Sequence, residues 1–420
     1  MLNPTVSVIG LGYIGLPTAA VLAANGCKVL GVDIVQTVVD TINRGEIHIV
    51  EPDLDALVHH AVNQGRLRAS TRVDPADAFL IAVPTPFKEG HVPDLDFVIA
   101  AARSIAPALR AGNVVILEST SPVGTTEKVR DLLALARPDL LFAGKDNGRP
   151  HVHVAYCPER VLPGKVLTEL VSNDRVIGGL SPACAERARD LYRIFVRGEC
   201  HLTDARTAEM CKLTENSFRD VNIAFANELS LICERLDIDV WELIRLANRH
   251  PRVQVLQPGP GVGGHCIAVD PWFIIHAAPE QSRLIETARE VNDSKPQHVL
   301  ARIELALAQT RKPRPIAACL GLAFKADIDD LRESPALEIT RQLARANRCD
   351  VLAVEPHIHE LPEDLRAMPH VQLAGLDDAL ARADVVVGLV RHRAFLPRRA
   401  ALAARSAERF IDPAGLGRAQ

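Results

Sequence analysis

The stretch Val6-Ser-Val-Ile-Gly10-Leu-Gly12-Tyr-Ile-Gly15 decides the fold of this 420-residue chain. Its first half is a short, apolar, β-branched run that predicts a strand, and a helical pattern follows to about Ala24. A second predicted strand, Lys28-Val-Leu-Gly-Val-Asp33, ends in an aspartate 18 residues after Gly15. The pattern G-x-G-x-x-G between a strand and a helix, with an acidic residue at the next strand end, is typical of a dinucleotide-binding unit.

Each residue of this motif has a distinct physical role. Gly10 permits a tight turn, Gly12 lets the backbone approach a pyrophosphate, and Gly15 lets the helix pack closely on the strand. Asp33 would accept hydrogen bonds from a ribose 2′-hydroxyl and would repel a 2′-phosphate, so we predict NAD rather than NADP as the cofactor. The alternative is a glycine-rich turn that happens to precede a strand-end aspartate.

The alternation of strands and helices continues beyond the motif. Strands are predicted at Ala78–Val83 and Val114–Glu118, with a helix over Leu95–Leu109 between them. The stretch from Thr203 to Leu236 lacks Pro and Gly and predicts one long helix. Another helix is predicted over Gln281–Ser294, ending before a proline.

After a polar linker at Gln309–Pro315, strands are predicted again at Ile316–Gly321, Asp350–Glu355 and Asp384–Val390, with a helix over Pro335–Ala346. The fold class predicted is α/β, with two Rossmann-like, doubly wound parallel-sheet domains joined by a central helical segment. The expected domains cover residues 1–200, 201–300 and 310–420.

Composition excludes several classes of protein. The 48 lysines and arginines nearly balance the 52 aspartates and glutamates, which argues against a partner that is a nucleic acid or a membrane surface. The nine cysteines form no C-x-x-C pair, so neither a disulfide framework nor a zinc site is expected. The histidine pairs His151/His153 and His357/His359 lack companion ligands, so no metal is assigned. No Lys or Arg precedes Lys28, so no signal peptide is expected and the cytoplasm is the predicted compartment.

Two further patterns suggest chemistry. The loop Gly259-Pro-Gly-Val-Gly-Gly-His-Cys266 surrounds one cysteine with backbone N–H groups that can stabilise a thiolate or an oxyanion, and Asp270 follows four residues later. Lys212, Asn216 and Arg219 share one face of the long helix, which suits an anionic, oxygen-rich ligand. These patterns alone leave open a structural cysteine and a solvated helix face.

Together these motifs resemble the UDP-glucose/GDP-mannose dehydrogenase family over essentially the whole chain. The motifs that carry the resemblance are the Gly10–Gly15 fingerprint, Ser119-Thr-Ser-Pro-Val-Gly124, Cys157-Pro-Glu-Arg160, Lys212-Leu-Thr-Glu-Asn216, Gly263-Gly-His-Cys266 with Asp270, and Phe324-Lys325 through Arg332-Glu-Ser-Pro335. Other stretches resemble the branch that acts on UDP-N-acetyl-D-mannosamine; they are Asn43–Pro52, Tyr156–Gly164, Glu215–Asn222 and Leu246–Arg252.

The resemblance implies oxidation of a sugar C6 hydroxyl to a carboxylate with two NAD⁺ per UDP-sugar, in a homodimer built around the long helix. It implies a catalytic set of Cys266 as nucleophile, Lys212 beside the oxyanion, Asn216 holding the reacting oxygen, and Asp270 and Glu159 positioning or deprotonating water. The implied NAD contacts beyond the glycines are Tyr13, Ile14, Asp33, Thr85, Thr126 and Arg332. The implied sugar-nucleotide contacts are Arg160, Val161, Lys212, Asn216, Arg219, His250, Arg252, Gly263, Phe324 and Lys325.

One position departs from the family pattern. UDP-glucose relatives carry a second glutamate where this chain has Pro163, which argues against UDP-glucose as the substrate. The alternatives are another UDP-sugar such as UDP-N-acetylglucosamine or UDP-glucose, a one-step alcohol dehydrogenase with a structural Cys266, and a binding protein without activity. Lys212, Cys266 and Asp270 argue against the last, because binding alone needs no thiol.

Overall fold

A computed structural model describes residues 3–143, 151–162, 164–264 and 266–418 of the chain. It divides into two compact units. The first unit comprises Met1–Glu215 and Trp272–Ala277, and the second comprises Asn216–Pro271 and Ala278–Gln420. Within the described ranges, no helix combines the length and the apolar character that crossing a membrane requires.

The first unit is built on an eight-stranded sheet with a small two-stranded hairpin beside it. Its strands are β1 (Thr5–Ile9), β2 (Lys28–Val32), β3 (Leu67–Ser70), β4 (Ala78–Ile81), β5 (Phe87–Lys88), β6 (Val92–Pro93), β7 (Val114–Leu117), β8 (His153–Tyr156), β9 (Arg175–Gly179) and β10 (Cys200–Asp204). Its helices are α1 (Gly15–Ala24), α2 (Gln36–Asn43), α3 (Leu54–Asn63), α4 (Asp96–Ile105), α5 (Thr125–Ala136), α6 (Val166–Ser172) and α7 (Pro182–Tyr192). Helix α8 (Ala205–Arg235) begins in this unit and continues into the second.

The order of the large sheet is β10-β9-β8-β7-β4-β1-β2-β3. The chain adds β2 and β3 on one side of β1 and then returns to place β4 on the other side, which creates the switch point where such sheets bind ligands. Successive side chains point to opposite faces, so Leu80 packs into one core and Phe79 and Ile81 into another. Both faces are therefore covered, as the predicted doubly wound class requires.

Among the described strands of the eight-stranded sheet, one pair departs from the predicted parallel arrangement, since β8 and β9 are antiparallel. Because the two strands run in opposite directions, β9 starts at the end of the sheet where β8 finishes. This reversal brings Arg175, the first residue of β9, next to the residues that follow β8.

The second unit contains a five-stranded parallel sheet in the order β13-β12-β11-β14-β15. Its strands are β11 (Ile316–Leu320), β12 (Asp350–Val354), β13 (Val371–Leu373), β14 (Val385–Gly388) and β15 (Phe410–Ile411). The remaining helices are α9 (Val240–Ala247), α10 (Asp270–Ala277), α11 (Arg283–Gln309), α12 (Pro335–Ala346), α13 (Glu363–Arg366), α14 (Leu376–Arg382) and α15 (Arg399–Ala403). All belong to the second unit except α10, which is in the first unit from Trp272 onward. Strand order again reverses beside the first strand, so the prediction of two Rossmann-like sheets and a long helix is confirmed.

The prediction that a helix ends before Pro296 is wrong, because α11 continues through Pro296 to Gln309. A proline inside a helix removes one hydrogen bond and costs about 3 kcal/mol. Beyond the proline, Val299, Ile303 and Leu307 lie on one helix face and are buried in the core of the second unit. Burial of each such side chain stabilises by roughly 1.5–3 kcal/mol, so packing outweighs the proline.

Candidate functional site

The glycine turn after β1 has the geometry of a dinucleotide site. Gly10 has a φ of +91°, and a Cβ there would lie 2.5 Å from the carbonyl oxygen of Ala82. A Cβ at Gly15 would lie 1.8 Å from the carbonyl oxygen of Gly10, whereas a Cβ at Gly12 would meet nothing within 4 Å. The fold itself therefore requires Gly10 and Gly15. Gly12 has open space in front of it, which fits the close approach of a pyrophosphate.

Asp33 lies against this turn at the end of β2. Its Oδ2 accepts a hydrogen bond from the Leu11 N–H at 3.0 Å, and its Oδ1 accepts one from the Val35 N–H at 3.0 Å. Each carboxylate oxygen retains a second lone pair for a ribose hydroxyl. Ile14 precedes α1 without a side-chain cap, and the first turn of α1 carries no acidic residue. The N–H groups at the start of α1 can thus bind an anion. This fits the prediction that Tyr13, Ile14 and the glycines contact NAD.

Thr85 and Thr126, the two threonines predicted to contact NAD, both form hydrogen bonds within the first unit. The Thr85 hydroxyl donates to the carbonyl oxygen of Thr120 at 2.5 Å, which joins the loops that follow β4 and β7. The buried Thr126 hydroxyl donates to Glu209 Oε1 at 2.6 Å. Gly124 N–H also donates to Glu209, so this carboxylate of α8 caps α5. Burial raises the pKa of Glu209. Contacts of both threonines with NAD remain predictions, and sequence reasoning missed Glu209.

Glu159 is held from both sides after β8. Its Oε2 pairs with Nη1 of the buried Arg175 at 2.9 Å, and its Oε1 accepts a hydrogen bond from the Arg160 N–H at 2.7 Å. The Arg160 guanidinium pairs with Glu215 of α8 at 2.7 Å. Sequence reasoning missed Arg175, although an arginine opening an otherwise apolar strand was a usable signal. Val161 follows this segment, and Pro163 lies outside the described residues.

Glu118 and Tyr192 form a buried polar pair close enough to Glu159 to be affected by its charge. The Tyr192 hydroxyl donates to Glu118 Oε1 at 2.6 Å. Burial, and then the charge of Glu159, raises the pKa of Glu118 to about 7. Burial also raises the pKa of Cys157 to about 12, so this thiol is protonated and is not a nucleophile.

Cys266 is set apart from the other cysteines. All nine lie within the described residues and none forms a disulfide, and Cys266 alone is exposed. Cys27, Cys233 and Cys319 are buried, and burial raises the pKa of each. The accessible thiol is therefore the one in the glycine loop.

The backbone of the glycine loop packs closely on the segment that follows β11. A Cβ at Gly263 would lie 2.2 Å from the carbonyl oxygen of Glu333, and one at Gly264 would lie 2.8 Å from the ring of Phe324. The predicted substrate residues Gly263, Phe324 and its neighbour Lys325 are thus brought together within the second unit. His265 lies outside the described residues.

The structure also joins Asn216 and Asp270, which are both buried. The Asn216 amide donates to Asp270 Oδ2, and the Asp270 N–H donates to the carbonyl oxygen of Cys266 at 2.9 Å. Three of the five predicted catalytic residues therefore form one group in the second unit. Lys212 is half-buried one turn earlier on α8, in the first unit, and its position relative to Cys266 remains a prediction.

The remaining predicted contacts are at the surface. Arg219, His250 and Arg252 are exposed, and the Arg252 N–H donates to His250 Nδ1 at 3.3 Å. Arg332 pairs with Asp330 at 2.6 Å in its own loop. Contact of these side chains with NAD or with a sugar nucleotide stays a prediction.

Among the described residues, one group of potential metal ligands comes together: Asp327, His357 and His392, within 4.8 Å. His392 is buried, its Nε2 donates to Glu355 at 3.0 Å, and its Nδ1 accepts the Asp327 N–H at 2.9 Å. Because both ring nitrogens are used, His392 has no lone pair left for a metal. Glu355 accepts the Leu322 N–H after the first strand of the second sheet, just as Asp33 accepts the Leu11 N–H in the first unit. His392, however, binds the Glu355 carboxylate and covers it. Among the described residues, Glu355 is therefore not an open carboxylate of the kind that Asp33 offers to a dinucleotide ribose.

Sequence models of one family match three consecutive parts of the chain. The family is the UDP-glucose/GDP-mannose dehydrogenase family; its NAD binding domain matches residues 4–196, its central domain residues 206–294, and its UDP binding domain residues 318–413. The chain is 62% identical over 391 residues to NDP-N-acetyl-D-galactosaminuronic acid dehydrogenase of Ralstonia nicotianae, which covers 93% of this chain and 91% of the relative.

The chain is also 62% identical over 397 residues to UDP-N-acetyl-D-mannosamine dehydrogenase of Escherichia coli K12, covering 93% of this chain and 94% of the relative. A solved structure of UDP-D-ManNAc dehydrogenase from Pyrococcus horikoshii superposes with a TM-score of 0.85 at 36% identity, over 99% of this chain and 100% of that chain. The chain therefore belongs to the UDP-glucose/GDP-mannose dehydrogenase family and is an NAD-dependent dehydrogenase.

Proposed function

We propose that the protein oxidises the C6 hydroxyl of UDP-N-acetyl-D-mannosamine to a carboxylate, giving UDP-N-acetyl-D-mannosaminuronate. The observation that carries this proposal is the single exposed thiol, Cys266, beside the Asn216–Asp270 pair. In balanced form, the CH₂OH group, two NAD⁺ and water become COO⁻, two NADH and three protons. The names of the Escherichia coli and Pyrococcus horikoshii relatives support the choice of sugar.

NAD⁺ supplies the hydride acceptor for both oxidations. After the first oxidation, the Cys266 thiolate adds to the C6 aldehyde and forms a thiohemiacetal, from which a second hydride can leave. The resulting thioester is hydrolysed by water, which releases the thiolate. In this proposal Lys212 stabilises the negative oxygen and moves a proton, and Asn216 holds that oxygen.

Asp270 and Glu159 are proposed to position the hydrolytic water. Glu159 already pairs with Arg175 and accepts a backbone N–H, which fixes the position of its carboxylate. Asp270 accepts from the Asn216 amide and lies one turn from Cys266, which supports a role near the thioester.

The glycine turn, Asp33, Thr85, Thr126 and Arg332 are proposed to bind NAD. The sugar nucleotide is proposed to contact Arg160, Val161, Lys212, Asn216, Arg219, His250, Arg252, Gly263, Phe324 and Lys325. The division into an NAD-binding part, a central part and a UDP-binding part at residues 1–200, 201–300 and 310–420 is likewise a proposal.

A second copy of the chain is the proposed partner of α8. Phe218, Phe225 and Ile232 recur every seven residues on this helix and are 68%, 51% and 46% exposed. A stripe of large apolar side chains of this kind is typical of a protein interface. We therefore propose a homodimer that covers this stripe. Nine cysteines without a disulfide also favour a reducing compartment such as the cytoplasm.

The similarity to the Ralstonia nicotianae relative makes an N-acetylgalactosamine nucleotide a second candidate substrate, because its identity is equal to that of the mannosamine enzyme. A panel of UDP-N-acetylmannosamine, UDP-N-acetylgalactosamine, UDP-N-acetylglucosamine, UDP-glucose and GDP-mannose with NAD⁺ decides between them. We expect turnover with the first sugar and two NADH for each product carboxylate. Preference for another sugar would reassign the substrate.

The mechanism is tested with Cys266→Ser, compared with Cys211→Ser on α8. The first variant should bind NAD⁺ normally but lose the complete oxidation, because a serine hydroxyl is not ionised at neutral pH. The second should keep both. Full activity of Cys266→Ser, or one NADH per sugar in the wild type, would contradict the thioester mechanism.

A further inference from the structure

The buried face of α8 in the second unit is polar. Asn216, Asp220 and Asn227 are all buried, and Asp220 and Asn227 have no exposed surface. At 3.6 residues per turn they lie within about 40° of one another around the helix axis. The apolar Phe218 and Phe225 lie on the opposite face, so the polarity of this helix is reversed relative to an ordinary surface helix.

Asn227 connects the glycine loop to α11 by direct hydrogen bonds. Its Oδ1 accepts the Gly259 N–H at 2.8 Å, and its Nδ2 donates to Asn292 Oδ1 at 2.9 Å. Asn292 Nδ2 in turn donates to Asp220 Oδ1 at 2.8 Å. Arg289 Nη1 binds the same Asp220 oxygen at 2.7 Å, so a chain of buried polar groups runs from α11 to the start of the loop.

A series of buried polar groups is an unusual contact between two helices. Burying an amide or a charge costs free energy unless it is fully paired, and apolar residues of similar size would often stabilise such a contact as well or better. Burial raises the pKa of Asp220 even though Arg289 opposes the rise. Unlike an apolar contact, a series of hydrogen bonds has a defined direction. It therefore fixes the backbone of Gly259 at one place.

The rest of the loop is confined from its other side. A Cβ at Gly261 would lie 3.0 Å from Pro335 and 3.1 Å from Pro296, and Gly263 lies against Glu333. At the far end, Asn216 holds Asp270, whose N–H binds the Cys266 carbonyl. One face of α8 therefore fixes both ends of the segment that carries the thiol.

We propose that Asn227, supported by Asn292, Asp220 and Arg289, is a positioning residue that sets the path of the loop from Gly259 to Cys266 and thereby the reactivity of the thiol. The inference rests on the proposed function, in which Cys266 is the nucleophile. Asn227 does not touch the reacting atoms and acts through the Gly259 N–H.

The first test is Asn227→Ala, with Asn222→Ala as the matched control. Asn222 lies on the same helix, but its amide donates to the Phe218 carbonyl of its own turn. A misplacement of about 1 Å near the reacting atoms can lower the rate up to 100-fold. For Asn227→Ala we expect kcat to fall at least about tenfold, and alkylation of Cys266 by iodoacetamide to shift to higher pH. The Kd for NAD⁺ should not change, because the glycine turn belongs to the first unit.

A second pair of variants covers the case in which Asn227→Ala fails to fold. Gly259→Pro removes the N–H that binds Asn227 but leaves the side chains of Asn227, Asn292, Asp220 and Arg289 in place, whereas Gly259→Ala keeps the N–H and has room for its Cβ. Gly259→Pro should show the same loss of kcat and the same shift of the alkylation profile as Asn227→Ala. Both effects should be far smaller in Gly259→Ala.

The inference is overturned if Asn227→Ala or Gly259→Pro lowers the unfolding midpoint but keeps the alkylation profile and kcat of the wild type. It is also overturned if Gly259→Ala lowers kcat and shifts the alkylation profile as much as Gly259→Pro does. Failure of the proposed function is distinguishable, because the wild-type protein would then form no NADH with any sugar of the panel.

Discussion

The buried carboxyl of Glu118 makes the stability of the first unit dependent on pH. It accepts the Tyr192 hydroxyl through Oε1, and its Oε2 has no hydrogen-bond partner among the described residues. Burial, followed by the charge of Glu159, raises its pKa from 4.5 to about 7. Between these two values the folded protein keeps a proton that the unfolded chain has lost. The stability that this proton provides is fully present below pH 4.5 and is lost as the pH rises through 7.

The substitution Glu118→Gln removes this dependence, because the amide is neutral at every pH. One pKa unit corresponds to about 1.4 kcal/mol, so the rise of about 2.5 is worth roughly 3 kcal/mol, of which about 2.5 kcal/mol falls between pH 5 and pH 8. The amide also places new N–H donors in a buried site, which adds an offset that does not depend on pH. We therefore expect the stability of the variant relative to the wild type to increase by about 2.5 kcal/mol from pH 5 to pH 8.

The assay is urea unfolding at several pH values, followed by the fluorescence of Trp272 in a Trp241→Phe background. Trp272 belongs to the first unit and Trp241 to the second, so the signal reports the unit that contains Glu118. The matched control is Glu127→Gln. A hydrogen bond from Arg206 lowers the pKa of Glu127, so the small stability from this pair is present at neutral pH and is lost as the pH falls. The reasoning about Glu118 is refuted if Glu118→Gln and the wild type differ by a constant amount from pH 5 to pH 8.

Two further predictions concern the cofactor turn and the apolar stripe. Gly12→Ala should leave the fold intact and raise the Kd for NAD⁺ in a titration, whereas Gly15→Ala should lower the unfolding midpoint, because its Cβ would overlap the Gly10 carbonyl. Equal effects of the two variants on stability would contradict the distinction. Phe225→Asp should convert a dimer into monomers in sedimentation, while the exposed Leu135→Asp of α5 should not; an unchanged mass for Phe225→Asp would contradict the proposed interface.

Local patterns were sufficient for most elements and for the cofactor turn. The strand before Gly10, the helix after Gly15 and the acidic end of β2 all occur within about 30 residues, a range over which alternation, turn chemistry and helix periodicity act directly. Helix α12 was predicted with the observed bounds, because Ser334 caps it and Pro335 opens it. The singular setting of Cys266 was likewise visible in its glycines.

The partners of these residues could not be read from local patterns. Glu159 pairs with Arg175 only because β9 runs antiparallel to β8, and Thr126 meets Glu209 across 83 residues of sequence. Asn227 and Gly259 are likewise separated by 32 residues.

The sequence by itself determined the two α/β sheets, the long helix, the glycine turn and the cysteine of the glycine loop, since each is encoded by neighbouring residues. Only the tertiary structure decided which buried groups hold these elements, that α11 passes through Pro296, and that burial raises the pKa of Glu118. The physical reason is that desolvation and packing depend on groups that are distant in the chain and become neighbours only when it folds.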